Sequence, residues 1–547
     1  MSHESSARSA GGSRKSRTFA VVLATALIAS TFGAAPALAG KNKDQPALDV
    51  VPGITQQTFD MWESAGIPLG FEGGSTLQAY GGSMYWINRH TGAGGYWHGG
   101  ITGAGIDVAL IDTGIAPVPA LSDAGKIING PDLSFDSQTA GLEYVDLFGH
   151  GTHLAGIIAG RAPGAAIDRN NDTEFLGVAP NARLVNMKVA DGVGAVDISQ
   201  VIAAIDWVVE HKNDNGMNIR VITLAYGTDG VQDYEIDPLA HAVERAWHEG
   251  IVVVVAAGND GLGSALRNPA TDPYVITVGA SENAGIWGRM SDDVIAPFSS
   301  CGTAARHVDV LAPGKSIVSL RNPGSMADTQ NPEARIDDDL FVGSGTSQAA
   351  AVVAGAVALI LEERPELTPD QVKQLLMDNS RSVGATANCE GAGSINLRWV
   401  RKDASPTVGE SDQTHAVATG TGLLEAARGT MHVWSRPDVD SDPVALTGEV
   451  DIMGTPWTGY SCNGTDCTTL WSGGDFNGAV WSGASWSGAS WSGASWSGAS
   501  WSGASWSGAS WSGASWSGAS WSGASWSGAS WSGASWSGAS WSSEGWR

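Results

Sequence analysis

Ile106-Asp107-Val108-Ala109-Leu110-Ile111-Asp112-Thr113-Gly114 is a short, mostly apolar run that stops at an acid, a hydroxyl and a glycine. Similar runs recur at Leu184-Val185-Asn186-Met187-Lys188-Val189, Val221-Ile222-Thr223-Leu224-Ala225, Ile251-Val252-Val253-Val254-Val255 and Val275-Ile276-Thr277-Val278. Near-continuous Val/Ile runs are the pattern of parallel strands buried on both faces. Between and after them lie helical patterns, Ile198 to His211, Leu239 to Glu249 and Pro369 to Met377. Alternation of this kind predicts an α/β fold, a doubly wound and mostly parallel sheet with helices on both faces. In such sheets the working residues gather at the carboxyl ends of the strands. Asp112 and Asn259 both fall just past a predicted strand.

Further along, Gly343-Ser344-Gly345-Thr346-Ser347-Gln348 leads into Ala349-Ala350-Ala351-Val352-Val353-Ala354-Gly355, which is nearly free of polar side chains. This predicts a helix buried on all sides and, as a run, shorter than the roughly 18 apolar residues that cross a bilayer. Ser347 would sit at its first turn, among unpaired backbone N–H groups and the positive end of the dipole. Such a place favours developing negative charge. The alternative is that Ser347 is only an N-cap.

The chain has 547 residues with 30 Lys+Arg, 56 Asp+Glu and a net charge of −26. This argues against a nucleic-acid partner, which needs a basic face, and favours a soluble, self-repelling, exported protein. Arg14, Lys15 and Arg17 precede the apolar run Phe19–Ala29, and Ala37-Leu38-Ala39 comes after it. The three together read as a secretory signal peptide over 1–39, with an uncleaved anchor as the other reading. No transmembrane span is expected after its removal. Four cysteines fit an oxidising compartment. Cys462 and Cys467, close together in a Gly/Thr/Asp loop, are one candidate pair and Cys301 with Cys389 the other, although four cysteines allow three connectivities. Residues 40–94 read either as a propeptide or as a strap on the mature domain. The regular pattern ends near Thr430; 431–480 is a linker holding the close cysteine pair, and 481–547 is a Trp-Ser-Gly-Ala-Ser repeat.

Three stretches supply chemistry in order. Val108–Gly114 brings a carboxylate, Gly149-His150-Gly151-Thr152-His153 an imidazole, and Gly345-Thr346-Ser347 a hydroxyl. A serine hydroxyl is a poor nucleophile until a base takes its proton, an imidazole titrates in the right range, and a carboxylate fixes its tautomer. A lone Asp-Thr-Gly also marks aspartic peptidases, but those pair two copies and no second one occurs. In this order the motifs resemble those of subtilisin-like serine peptidases (subtilases) over residues 95–430.

The resemblance implies a secreted serine endopeptidase acting on polypeptides, with Ser347 as nucleophile, His150 as base and Asp112 as its orienter. His153 competes with His150 for the base; the family's motif places the catalytic ring first. Ala256-Ala257-Gly258-Asn259-Asp260 resembles the oxyanion-hole segment, with Asn259 as donor. Phe298-Ser299-Ser300, Leu311-Ala312-Pro313-Gly314 and Gly420-Thr421-Gly422-Leu423 also resemble subtilase segments. Substrate backbone would lie against Ala225, Tyr226 and Gly227 and against Ala256 and Gly258. Two departures stand out: Ala225-Tyr226-Gly227 where Ser-Leu-Gly is common, and Gln348 where methionine is common. No cofactor is implied for the chemistry. Asp168, Asn170 and Asp172, with oxygens at every second position, resemble the start of a calcium loop; a solvated acidic loop is the plainer reading.

In the tail Trp recurs every five residues from Trp481 to Trp541, a period of neither helix nor strand. Two readings stand, a flexible chain of aromatic stickers and a pentapeptide solenoid. Either would hold the protein to a cell-wall or other surface polymer. The rival for the whole chain is a catalytically silent scaffold that works through its tail.

Overall fold

The computed structural model describes residues 77–138, 142–283, 289–403, 412–436 and 444–452, with 49–50, 456–457 and short strands beyond 460. The expected leader over 1–39 lies outside the described residues. The centre is an eight-stranded sheet. Its strands are β1 (Asp107–Asp112), β2 (Ile127–Asn129), β3 (Arg183–Lys188), β4 (Ile219–Leu224), β5 (Val252–Ala256), β6 (Ile276–Asn283), β7 (Asp293–Ile295) and β8 (Val310–Pro313). Their order is β2-β3-β1-β4-β5-β6-β7, with β8 also on β6. All pairings are parallel except β6 with β7. The expected α/β sheet is what forms. The strand order turns back at β1, the chain reaching β3 on one side and β4 on the other. Sheets of this kind bind ligands at such a reversal, here the carboxyl end of β1.

Two short helices, α1 (Met84–Thr91) and α2 (Ala93–His98), precede the sheet and bury Met84, Ile87 and Tyr96 in its core. Residues 77–98 are therefore part of the folded body. Five further helices frame the site: α3 (His150–Ala159), α4 (Ile198–His211), α5 (Pro238–His248), α6 (Thr346–Glu363) and α7 (Pro369–Asp378). Local signals fix the starts of three of them. Asp197 and Thr368 close capping boxes with Gln200 and Gln371, and Asp237 accepts the N–H groups of Leu239 and Ala240 ahead of Pro238. The 18 residues of α6 are long and apolar enough, by length and composition, to cross a membrane. They lie instead in the protein core: Ala349 to Leu361 are buried side by side against α3 and the sheet. A helix apolar all round is stable in water only when so enclosed.

Near the end of the folded body, α8 (Leu424–Arg428) carries an arginine with no exposure at all. Its guanidinium meets the equally buried Asp197 carboxylate at 2.6 Å and also bonds the carbonyls of Gly448 and Val450. Burying both charges is tolerable because each is fully paired.

The strap at 412–419 is fastened on α5. His241 Nδ1 meets the Ala418 carbonyl at 2.7 Å, the Ala418 N–H donates to Glu244 at 2.8 Å, and the Tyr274 hydroxyl donates to the His415 carbonyl at 2.7 Å. Glu244 and Asp272 are both buried there. Burial, and then the Asp272 charge, push the Glu244 carboxyl far above the usual range; burial raises Asp272 as well. The folded pair thus holds protons that the unfolded chain releases.

Cys301 and Cys389 are joined, 88 positions apart in sequence. Strands 460–463 and 466–469 form a hairpin with Cys462 opposite Cys467; the side chains there lie outside the described residues. Beyond 480, Ser-Trp-Ser strands pair in parallel with those twenty positions on, Trp481 with Trp501, Trp521 and Trp541 in turn. Four such ladders form, each taking every fourth repeat of the chain. The register therefore advances by four pentapeptides from one paired strand to the next.

A carboxyl raised by folding contributes stability that is whole below the ordinary carboxylate range and is lost as pH climbs through the folded value. The melting temperature should therefore fall between about pH 5 and about pH 9, and Glu244→Gln should flatten that slope; an equal slope in the variant counts against the pair. Cys301→Ala with Cys389→Ala should lower unfolding stability by roughly 4–5 kcal/mol on the chain-entropy account, read from denaturant midpoints.

Candidate active site

Asp112 is the last residue of β1 and His150 the first of α3, so the two elements meet end to start. The His150 ring nitrogen Nδ1 lies 2.9 and 3.0 Å from the two Asp112 carboxylate oxygens, and both residues are about 1% exposed. Nδ1–H donates to the carboxylate, which leaves Nε2 as the acceptor nitrogen of the neutral ring. Asp112 also accepts the Thr113 N–H at 2.7 Å. The approach is close. A Cβ on Gly151 would lie 2.1 Å from the Gly114 carbonyl oxygen and 3.1 Å from Asp112 Oδ1, so only glycine allows α3 to reach β1.

Ser347 is the second residue of α6, fully buried, and α6 packs against α3. The start of α6 is anchored from two sides. Gly345 N–H donates to the Gly314 carbonyl at 2.8 Å. The Asn259 side-chain oxygen accepts both the N–H (2.9 Å) and the hydroxyl (3.0 Å) of Thr346, whose oxygen in turn accepts the Gly258 N–H at 3.1 Å. With Oδ1 committed to Thr346, the group Asn259 offers a ligand is its amide NH₂. Gly258, at φ 109°, turns the chain into this position after β5.

His153 lies one turn along α3 with Nε2 3.2 Å from the Phe341 carbonyl. Burial, reinforced by His150, pulls it down to about 3. A ring held neutral on a backbone carbonyl packs; it is not poised to exchange protons near neutrality. Behind β1, the fully buried Lys188 ammonium meets the carbonyls of Thr113 (2.9 Å) and Ala190 (2.7 Å) and the Asp136 carboxylate (3.0 Å). Burial raises nearby Asp132 and Asp191 to about 6 each.

A family profile described as the Subtilase family matches residues 103–395. The chain belongs to the subtilase family. It is 39% identical over 304 residues to the serine protease AprX of Bacillus subtilis, covering 54% of this chain and 66% of that one. Subtilisin Savinase of Lederbergia lenta is 31% identical over 299 residues, 54% of this chain and 91% of its own length. The minor extracellular protease Epr of Bacillus subtilis is 30% identical over 327 residues, 58% of this chain and 43% of its own. The chain thus spans under two thirds of AprX and of Epr, and nearly all of Savinase.

Within this subtilase, Ala225 to Gly227 follow β4 and Ala256 to Gly258 end β5, so the two segments leave neighbouring strands side by side. The Tyr226 ring is buried, so a ligand there meets backbone rather than phenol. Between the segments stands Arg267, which carries no motif in the sequence. A Cβ on Gly227 would lie 2.6 Å from its Cβ, and one on Gly258 2.8 Å from its Cγ. Its guanidinium is bidentate on Asp260 at 2.6 and 2.7 Å. Gln348 is buried beside Ser347.

Some of the oxygens expected to hold a cation already have partners within the protein. Asp168 Oδ1 accepts the Asn170 N–H at 2.8 Å, and the Arg89 guanidinium, itself a cation, takes Asn170 Oδ1 at 3.5 Å and the Arg169 carbonyl. Asp172 offers its backbone carbonyl to Leu77 at 2.6 Å. Asn171, not Asn170, organises the turn, accepting the N–H groups of Thr173 and Glu174. No group of three or more His, Cys, Asp or Glu placed for a metal occurs among the described residues.

By ring-detected NMR, His153 should show no titration between about pH 5 and about pH 8. A midpoint inside that window would contradict its burial on the Phe341 carbonyl.

Proposed function

We propose that this subtilase is a secreted serine endopeptidase that hydrolyses polypeptides through Asp112, His150 and Ser347 and an acyl-enzyme intermediate. The observation that carries it is the buried Asp112 carboxylate on His150 Nδ1 at the carboxyl end of β1. In this reading Nε2 takes the Ser347 hydroxyl proton as Oγ attacks the scissile carbonyl carbon. Asp112 stabilises the imidazolium that results. The Asn259 amide and the Ser347 N–H donate to the oxyanion, and the hold of Thr346 on Asn259 Oδ1 supports that orientation. The imidazolium then protonates the leaving amine, and water, deprotonated by the same nitrogen, releases the acyl group.

Substrate adds as an extended strand along 225–227 and 256–258. The Arg267–Asp260 pair bounds its space, and the acidic body disfavours nucleic acid. Export is supported by the leader pattern at 1–39 and by the Cys301–Cys389 bond. Calcium has no part in the chemistry of this reading. The Trp repeat, in its four ladders, serves to hold the protein on a surface polymer; a chain ending at Val480 should then shift from the cell wall to the medium.

Ser347→Ala should abolish casein digestion and labelling by a fluorophosphonate probe. Asn259→Ala should cut kcat by roughly 10²–10³, the loss measured for the same donor in subtilisin. An unlabelled wild-type protein would favour the silent scaffold.

A further inference from the structure

Asp146 stands at the seam between β1 and α3, about 1% exposed, and among the described residues no cation pairs with it. Four donors converge on its carboxylate instead. Oδ1 accepts the Thr113 hydroxyl (2.8 Å) and the Gly149 N–H (2.6 Å); Oδ2 accepts the N–H (2.8 Å) and hydroxyl (2.7 Å) of Thr152. Both hydroxyls also work in reverse. Thr113, next to Asp112, accepts the Gly151 N–H of α3 at 2.9 Å, and Thr152 of α3 accepts the Ala116 N–H at 2.9 Å. One buried carboxylate therefore stitches the end of β1 to the start of α3 from both sides.

The direction of one proton gives this network its consequence. The Thr113 hydroxyl oxygen is 2.8 Å from Asp146 Oδ1 and 3.2 Å from Asp112 Oδ1, and it has a single proton to give. We propose that Asp146 is a positioning residue for the Asp112–His150 pair, drawing the Thr113 hydroxyl proton to itself so that Asp112 keeps its charge for the imidazole. A carboxylate with fewer donors is the better acceptor for an imidazolium. Asp146 also adds a second buried negative charge two contacts away. The other charged or titratable groups facing this corner are Lys188, Asp136, Asp132 and Asp191 around β3, and His153 on α3. The Lys188 ammonium is spent on Asp136 and two carbonyls, so it does not take the place of the Thr113 proton.

The kinetic half of the test rests on the peptidase reading; the structural half does not. Neutron diffraction from deuterated wild-type protein should find the Thr113 deuteron on the line to Asp146, and a deuteron aimed at Asp112 overturns the proposal. By NMR, Asp146→Asn should lower the His150 midpoint by about half a pH unit or more, and Thr113→Ser should leave it in place. The shift caused by Asp146→Asn should shrink at least by half in a Thr113→Val background, because the hydroxyl that would turn to Asp112 is gone. An equal shift in both backgrounds, or a lowered melting temperature with no shift, reduces Asp146 to a helix cap. In activity, Asp146→Asn should lower kcat roughly ten-fold with KM held, well short of the roughly 10⁴ lost with the orienting carboxylate itself, and move the acidic limb of kcat/KM to lower pH. If wild type is inactive while the deuteron and the NMR shift are as stated, the peptidase reading fails and the positioning role stands.

Discussion

The first turn of α3 comes so near the end of β1 that no side chain fits between them, and the rest of the site depends on this approach. Gly151 is what permits it, since a methyl group would meet the Gly114 carbonyl oxygen at 2.1 Å. The same contact puts the His150 ring on the Asp112 carboxylate and brings two threonine hydroxyls to either side of Asp146. Each bond is short because the backbones are held, not because the side chains reach. Preorganisation of this kind places the polar groups before a ligand arrives.

The sheet supplies the other half. Because the strand order reverses at β1, the carboxyl ends of β1, β4 and β5 lie side by side, and α6, packed on β4 and β5, carries Ser347 in its first turn. The Asn259–Thr346 bonds connect the end of β5 to the start of α6. Acid, ring, hydroxyl and amide therefore come from four elements whose packing is largely apolar. The burial of Leu110, Ile157, Val254 and Val353 in one core fixes the relation of these elements more firmly than any polar contact among them.

Much of this was legible from residues alone, and the reasons are physical. Val/Ile runs must be covered on both faces, so the strands can be read, and the helical period bounds α4 at Ile198 and His211. The Asp112, His150, Ser347 and Asn259 positions carry strong local motifs. Arg267 does not, and Asp146 shows only its short spacing to Gly149 and Thr152, while the contact that ties it to Thr113 spans 33 positions. The oxygens at 168–174 have the rhythm of a cation loop, but Asn170 Oδ1 and the Arg169 carbonyl face a distant arginine, Arg89. In the tail, five residues per unit hides the operative period, which is the twenty-residue step between paired strands. The bond between Cys301 and Cys389 likewise needed the fold to choose among three connectivities.

Recognisable sequence and foldable unit end in different places. The matched family segment stops at 395, yet Asp197 caps α4 while facing Arg428, some thirty residues further on, with both charges sealed from water. A chain cut at the boundary of the match would strand that acid inside apolar surroundings, at a cost of roughly 3–5 kcal/mol from this one vacancy. The downstream segment is thus a keystone of the folded body, and expression boundaries belong after Trp457, whose ring is packed into the core.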